Sequence, residues 1–223
     1  MSVRYYTYVS DAKVDLLYGQ IPPRPLSRIA GELKIDLKVL SVSVSLSQAE
    51  QTRYDRLKIV ERYVRREYDV TAIENPGVWI EAQMNLRSAF HGGRQDGMLF
   101  MTGCEGDTLV VLIGSAYHLV ADRSQPAVGE SQSGLPALFA LLERDPAERG
   151  VLAAVKARFQ GSSPVRDEDA LHSLLGLVDR ATGPGEPCLF LSRRLYHGMA
   201  PRLDGPPVRT VIATPLYVAL SGS

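Results

Sequence analysis

"MLFMTGCEGDTLVVLIG", Met98–Gly114, decides the fold. Two apolar runs, Met98–Gly103 and Thr108–Gly114, flank the link Cys104-Glu105-Gly106-Asp107. Runs of this kind around a short glycine-containing link read as a β-hairpin. Just upstream, "VWIEAQMNLRSAF" (Val78–Phe90) reads as a clear strand. Ile80, Ala82, Met84 and Leu86 fall on one face of a strand, and Trp79, Glu81, Gln83, Asn85 and Arg87 on the other. "HGGRQDG" (His91–Gly97) joins this strand to the hairpin as a loop. Neighbouring strands with short links predict an antiparallel meander rather than a parallel sheet.

Towards the N-terminus, Val3–Val9 reads as a strand and Asp11–Ile21 as a helix, with Val14, Leu17, Tyr18 and Ile21 on one face. Pro22 and Pro23 stop that helix. "KIDLKVLSVSVSLSQ" (Lys34–Gln48) alternates, slips by one residue, and alternates again. That slip predicts one long strand bent near Val39. Ser47–Glu50, "SQAE", is a capping box. The helix behind it runs to about Asp69, with Tyr54, Leu57, Val60, Val64 and Tyr68 as its stripe and arginines around it.

Towards the C-terminus, 123–134 is the best loop, and the place for an internal boundary if the chain has one. Three helical segments are expected after it: about 136–143, a second from Asp145 with its own capping box, and about 167–181. Pro187–Gly198 fits strand or helix. Val208–Leu220 reads as a last strand, with Pro215 marking an edge or bulge. The expected fold is α+β: a mainly antiparallel sheet packed against helices in a single domain of 1–223.

The 223 residues carry 25 basic and 25 acidic side chains, and this neutral balance gives no pull toward nucleic acid or anionic lipid. No apolar run approaches the roughly 20 residues of a membrane span, and "MSVRYYTYVS" lacks the apolar region of a signal peptide. The expected location is the cytoplasm. Cys104 and Cys188 stand far apart in no metal-binding spacing and read as small hydrophobes.

No phosphate-binding loop, dinucleotide fingerprint, zinc-protease helix or nucleophile elbow occurs in the chain. Four constellations remain. Ser10-Asp11, at the strand-to-helix junction, reads first as a helix cap, and a ligand there would be cationic or hydroxyl-bearing because Asp11 repels anions. Ser115 and His118, at the end of the apolar strand, have the residue types of a nucleophile and a base. Arg193-Arg194 and His197 read as surface groups. The polar face of the Trp79–Arg87 strand, with Glu81, Gln83, Asn85 and Arg87, suits a polar small molecule.

Three function classes follow. The first is a small-molecule-binding or regulatory protein using Glu81, Gln83, Asn85 and Arg87. The second is a cofactor-independent enzyme moving protons with Asp11, Ser115, His118 or Glu81. The third is an interaction module docking through the arginine-rich helix Ser47–Tyr68. The expected partners are a polar small molecule and, as an assembly, a homodimer. No metal, cofactor, nucleic acid or membrane is expected.

With "RYYTYVSDAKVDLLYGQIP" (Arg4–Pro22), "LVVLIGSAYHLVAD" (Leu109–Asp122) and "ATPLYVAL" (Ala213–Leu220), the chain resembles a family of conserved hypothetical proteins from Streptomyces and related actinobacteria. The resemblance runs over nearly the whole chain and implies kinship and a bacterial source. It carries no activity and no catalytic residue.

Overall fold

A computed structural model of the chain describes residues 4–37, 46–91, 97–120, 183–200 and 206–221. Two compact units account for it: Met1–Val9 with Thr71–Ser223, and Ser10–Val70.

The described residues of the first unit are mainly strands: β1 (Tyr5–Val9), β2 (Val70–Thr71, at the unit boundary), β3 (Trp79–His91), β4 (Met98–Glu105), β5 (Thr108–Ser115), β6 (Glu186–Ala200) and β7 (Val208–Leu220). The expected hairpin is β4–β5. Its turn is two residues long, with Glu105 opposite Thr108, and Gly106 supplies the φ of 56° that such a turn needs. β3 pairs antiparallel with β4, as the meander reading requires.

The sheet then departs from expectation. β5 pairs β7 in parallel, β7 pairs β6 antiparallel, and β6 pairs back onto β3. The ring β3–β4–β5–β7–β6 is therefore a closed five-stranded barrel, with β1 added to the end of β7 beyond β5. This corrects the expected α+β arrangement of a sheet packed against helices. The sheet covers its inner face with its own strands, although helices are present in the chain.

Two bulges sit on the ribbon that makes the closure. The β6–β7 register skips Leu216 beside Pro215 and skips Leu195 farther along. Bulges bend a strand and raise its twist, which a 13- to 15-residue ribbon needs in order to curl from β5 round to β3. Pro187–Gly198, legible as strand or helix, is strand.

Residues alternating inward from all five strands form one cluster, with Ile80, Met84, Leu99, Met101, Val110, Leu112, Phe190 and Val211 among them. Side chains fill the interior, as is usual for a barrel this narrow. A second cluster, with Met98, Phe100, Val111, Ile113 and Ile212, lies on the opposite face of β4, β5 and β7. Every residue of β5 is buried, so that strand has no solvent face.

The second unit holds α1 (Asp11–Gln20), α2 (Pro23–Leu33) and α3 (Leu46–Glu67). α2 was not expected. The prolines that stop α1 also start α2, because Pro in the first helical turn removes only an amide without an intrahelical partner. Lys34 closes α2 in the left-handed region at φ 56°, and the Ile35 amide donates to the Ala30 carbonyl at 2.9 Å. Ile35–Leu37, expected as the start of a long strand, carries no strand. The bend at Val39, the loop 123–134 and the three later helical segments lie outside the described residues.

α3 packs with α1 and α2 within this unit. Its arginines meet acids of the same unit: Arg53 pairs Asp11, Arg56 pairs Asp15 at 2.8 Å, Arg65 pairs Glu61 at 2.8 Å, and Arg62 and Arg66 meet Glu32 at 3.7 and 3.5 Å. Among the described residues, no helix is long and apolar enough to cross a membrane.

Candidate functional site

The β3 row comes first. Strand alternation puts Glu81, Gln83, Asn85 and Arg87 on the outer face of the barrel, opposite the inward Ile80, Met84 and Leu86. Gln83, Asn85 and Arg87 are exposed, Glu81 is half-buried, and Trp79 at the head of the row is buried. The residues opposite them on β6 are apolar: Leu191, Leu189 and Pro187. Gly185 lies under the stems of Asn85 and Arg87, where a Cβ would sit 3.3 Å from the Asn85 Cβ and 3.8 Å from the Arg87 Cγ. The result is a polar row that is exposed from Gln83 to Arg87 and covered toward its head, where Trp79 and the facing Leu191 are buried.

Ser115 and His118 form a separate locus. Ser115 is level with Met98, and Met98 with His91, four residues beyond Arg87. At about 3.4 Å per residue, Ser115 lies ~14 Å along the strand from Arg87 and ~34 Å from Glu81. The structure therefore does not bring the end of β5 together with the β3 row.

At that end, Ser115 caps a 3₁₀ turn, Ala116–His118, its Oγ accepting from the Tyr117 amide at 3.4 Å. His118 is buried, with its ring edge-on to Tyr8 at 5.9 Å and to Tyr117 at 5.2 Å. Tyr8 is fully buried, and its ring lies so close over β5 that a Cβ on Gly114 would stand 2.6 Å from the hydroxyl. Tyr8 went unrecognised from sequence, where it was one aromatic in a strand. The signal that could have found it is the glycine: a Gly inside a strand marks a close approach by something else.

The Ser10-Asp11 junction is the third locus, in the helical unit. Ser10 holds the N-cap position of α1 with extended backbone, yet its side chain makes no capping bond. The expected cap is therefore not formed. Lys13 Nζ donates to Ser10 Oγ instead, at 3.2 Å. Ser10 is fully buried, and burial pushes the Lys13 ammonium down to about 8. Asp11 faces Arg53, whose side chain is only 10% exposed. Lys13 was missed as a site residue, although the spacing Ser-x-x-Lys stood in the sequence.

Elsewhere, Cys104 is exposed and Cys188 buried, the Cys188 thiol pushed up to about 11 by burial and secondarily by Glu186. His197 and Arg193 are exposed. Among the described residues, no three His, Cys, Asp or Glu side chains converge as metal ligands would.

A family of unknown function, DUF7019, has a profile that matches residues 4–222, almost the full length of the chain and both units of the fold. The chain belongs to the DUF7019 family. No curated protein and no solved structure matches the chain.

Proposed function

We propose that the protein is an interaction module of the bacterial cytoplasm, and that its recognition face is the β3 row Glu81–Gln83–Asn85–Arg87. The occupant is an extended polypeptide segment. The observation that carries this reading is the solvent exposure of three of the four side chains on the outside of a filled barrel.

Small-molecule sites are concave and bury most of their ligand. An exposed ridge lacks that enclosure, so the same residues are better suited to a macromolecular partner than to the polar small molecule expected from sequence. Spacing argues the same way. Alternate residues of a strand stand roughly 7 Å apart, and Glu81 to Arg87 spans about 20 Å. That repeat is shared by any extended chain. Arg87 offers a carboxylate-binding fork, and Gln83 and Asn85 offer adaptable hydrogen bonds. The fitting segment carries an acid flanked by polar side chains at alternate positions. The helix α3, the other docking surface considered, has its arginines engaged by acids of its own unit.

A photo-crosslinking residue placed at Gln83 in the native host tests this, with the same residue at the exposed Glu105 as control. The expected result is a discrete protein crosslink from position 83 that is absent from 105 and lost in Arg87→Glu. Equal labelling from both positions overturns the reading. A small retained mass in native mass spectrometry that disappears in Arg87→Met would overturn it in favour of a small ligand.

A further inference from the structure

Ser10 and Lys13 stand in the helical unit, apart in sequence from the β3 row. Residues three apart lie on one face of a helix, and here they meet at its first turn, Lys13 Nζ donating to Ser10 Oγ at 3.2 Å. A serine at an N-cap ordinarily spends its oxygen on the N2 or N3 amide. Ser10 does not; its side chain makes no cap bond. Its oxygen accepts from the Lys13 amine instead, which places that nitrogen within reach of the hydroxyl proton.

That group is suited to the task. Burial holds the ammonium at about 8, so an appreciable fraction is neutral near physiological pH, and neutral lysine is a base. The first-turn amides of α1 have no intrahelical acceptor and lie at the same end of the helix, where partial positive charge favours a developing oxyanion. Ser-x-x-Lys pairs of this form serve as nucleophile and base in acyl-transferring enzymes.

We propose that Ser10 and Lys13 form a nucleophile–base pair for acyl transfer, acting on an ester or activated amide. Lys13 Nζ takes the proton from Ser10 Oγ as the oxygen bonds to the acyl carbon. The carbonyl π pair moves onto oxygen, and its return breaks the bond to the leaving group. That group departs with the proton from the Lys13 ammonium and leaves an ester on Ser10. Water then attacks the ester with Lys13 again as base, and the acid leaves as Ser10 regains its hydrogen. No metal, oxidant or reductant enters this balance. Ser10 is fully covered in this conformation, so the reaction proceeds through local opening and favours a small acyl donor. This proposal concerns the helical unit and stands or falls separately from the β3 row.

The test uses the full chain and a small dialkyl fluorophosphate, which phosphorylates an activated serine oxygen and releases fluoride. The expected result is one adduct per chain, mapped to Ser10, absent in Ser10→Ala. Lys13→Arg keeps the positive charge but cannot supply a neutral base, and should slow labelling by about 100-fold or more. The wild-type mapping needs no variant to fold. No adduct on wild type, an adduct on a different residue, or equal labelling of a folded Lys13→Arg protein overturns the proposal.

Discussion

Lys13→Met should change the pH dependence of stability in a way no surface lysine would. Burial lowers the folded-state ammonium from 10.5 to about 8. Below pH 8 the group is protonated folded and unfolded, and the full desolvation penalty opposes folding. Between pH 8 and 10.5 the folded chain has released the proton while the unfolded chain holds it. The unfolded state then binds more protons, and stability rises with pH across this window. At about 1.4 kcal/mol per pH unit the rise totals roughly 3 kcal/mol. Lys13→Met removes the penalty and the rise together. It also removes the donor to a buried serine hydroxyl, which costs about 1 kcal/mol at every pH, so the shape of the difference is a firmer test than its height. Tyr18, whose hydroxyl burial pushes up, falls in both proteins and drops out of the difference. Urea unfolding followed by far-ultraviolet circular dichroism, at half-unit steps from pH 7 to 11, gives both curves. The stability of Lys13→Met minus that of the wild type should fall by roughly 3 kcal/mol between pH 8 and 10.5, changing sign on the way. A separation constant with pH would refute the claim that desolvation lowers the Lys13 ammonium.

Two further outcomes follow from packing and burial. Gly114→Ala should destabilise the chain by about 1–3 kcal/mol in calorimetry, because the added methyl meets a Tyr8 ring that is fully buried and cannot swing aside; an unchanged melting temperature would mean that the ring is not held there. Iodoacetamide at pH 8 should alkylate Cys104 in the folded protein and leave Cys188 unmodified until denaturant is added, since Cys188 is buried and its thiol raised to about 11, and peptide mass spectrometry reads both sites.

The hairpin, the β3 alternation and α3 were legible in the sequence because each rests on local chemistry: a glycine at a turn, a period of two, an apolar stripe of helical period. Closure was not. Whether β6 returns to β3 depends on two bulges in a ribbon more than ninety residues downstream of β3, and an alternation pattern reads the same in an open sheet and a closed one. The all-buried β5 was a hint of packing on both faces, since TLVVLIGS carries no polar residue between its ends. Helix α2 was hidden for a different reason. Prolines that stop one helix are also a permitted start for the next.

The polar residues divide along the same line. Glu81, Gln83, Asn85 and Arg87 were found as a row because alternation alone places them, but the sequence could not say that the row faces water rather than a covering helix. Ser115 and His118 have the residue types for catalysis, yet structural contacts engage them: the serine oxygen caps a 3₁₀ turn, and the imidazole stands edge-on to two tyrosine rings. Ser10 shows the converse. Its position predicts a structural cap, and the 3.2 Å contact with Lys13 withdraws it from that task. A serine that gives up a cap forgoes about 1 kcal/mol of helix stability, and a lysine buried as a cation opposes folding by a similar or larger amount. Two unfavourable choices made at adjacent turns, touching each other, are the signature of residues positioned for chemistry rather than for stability.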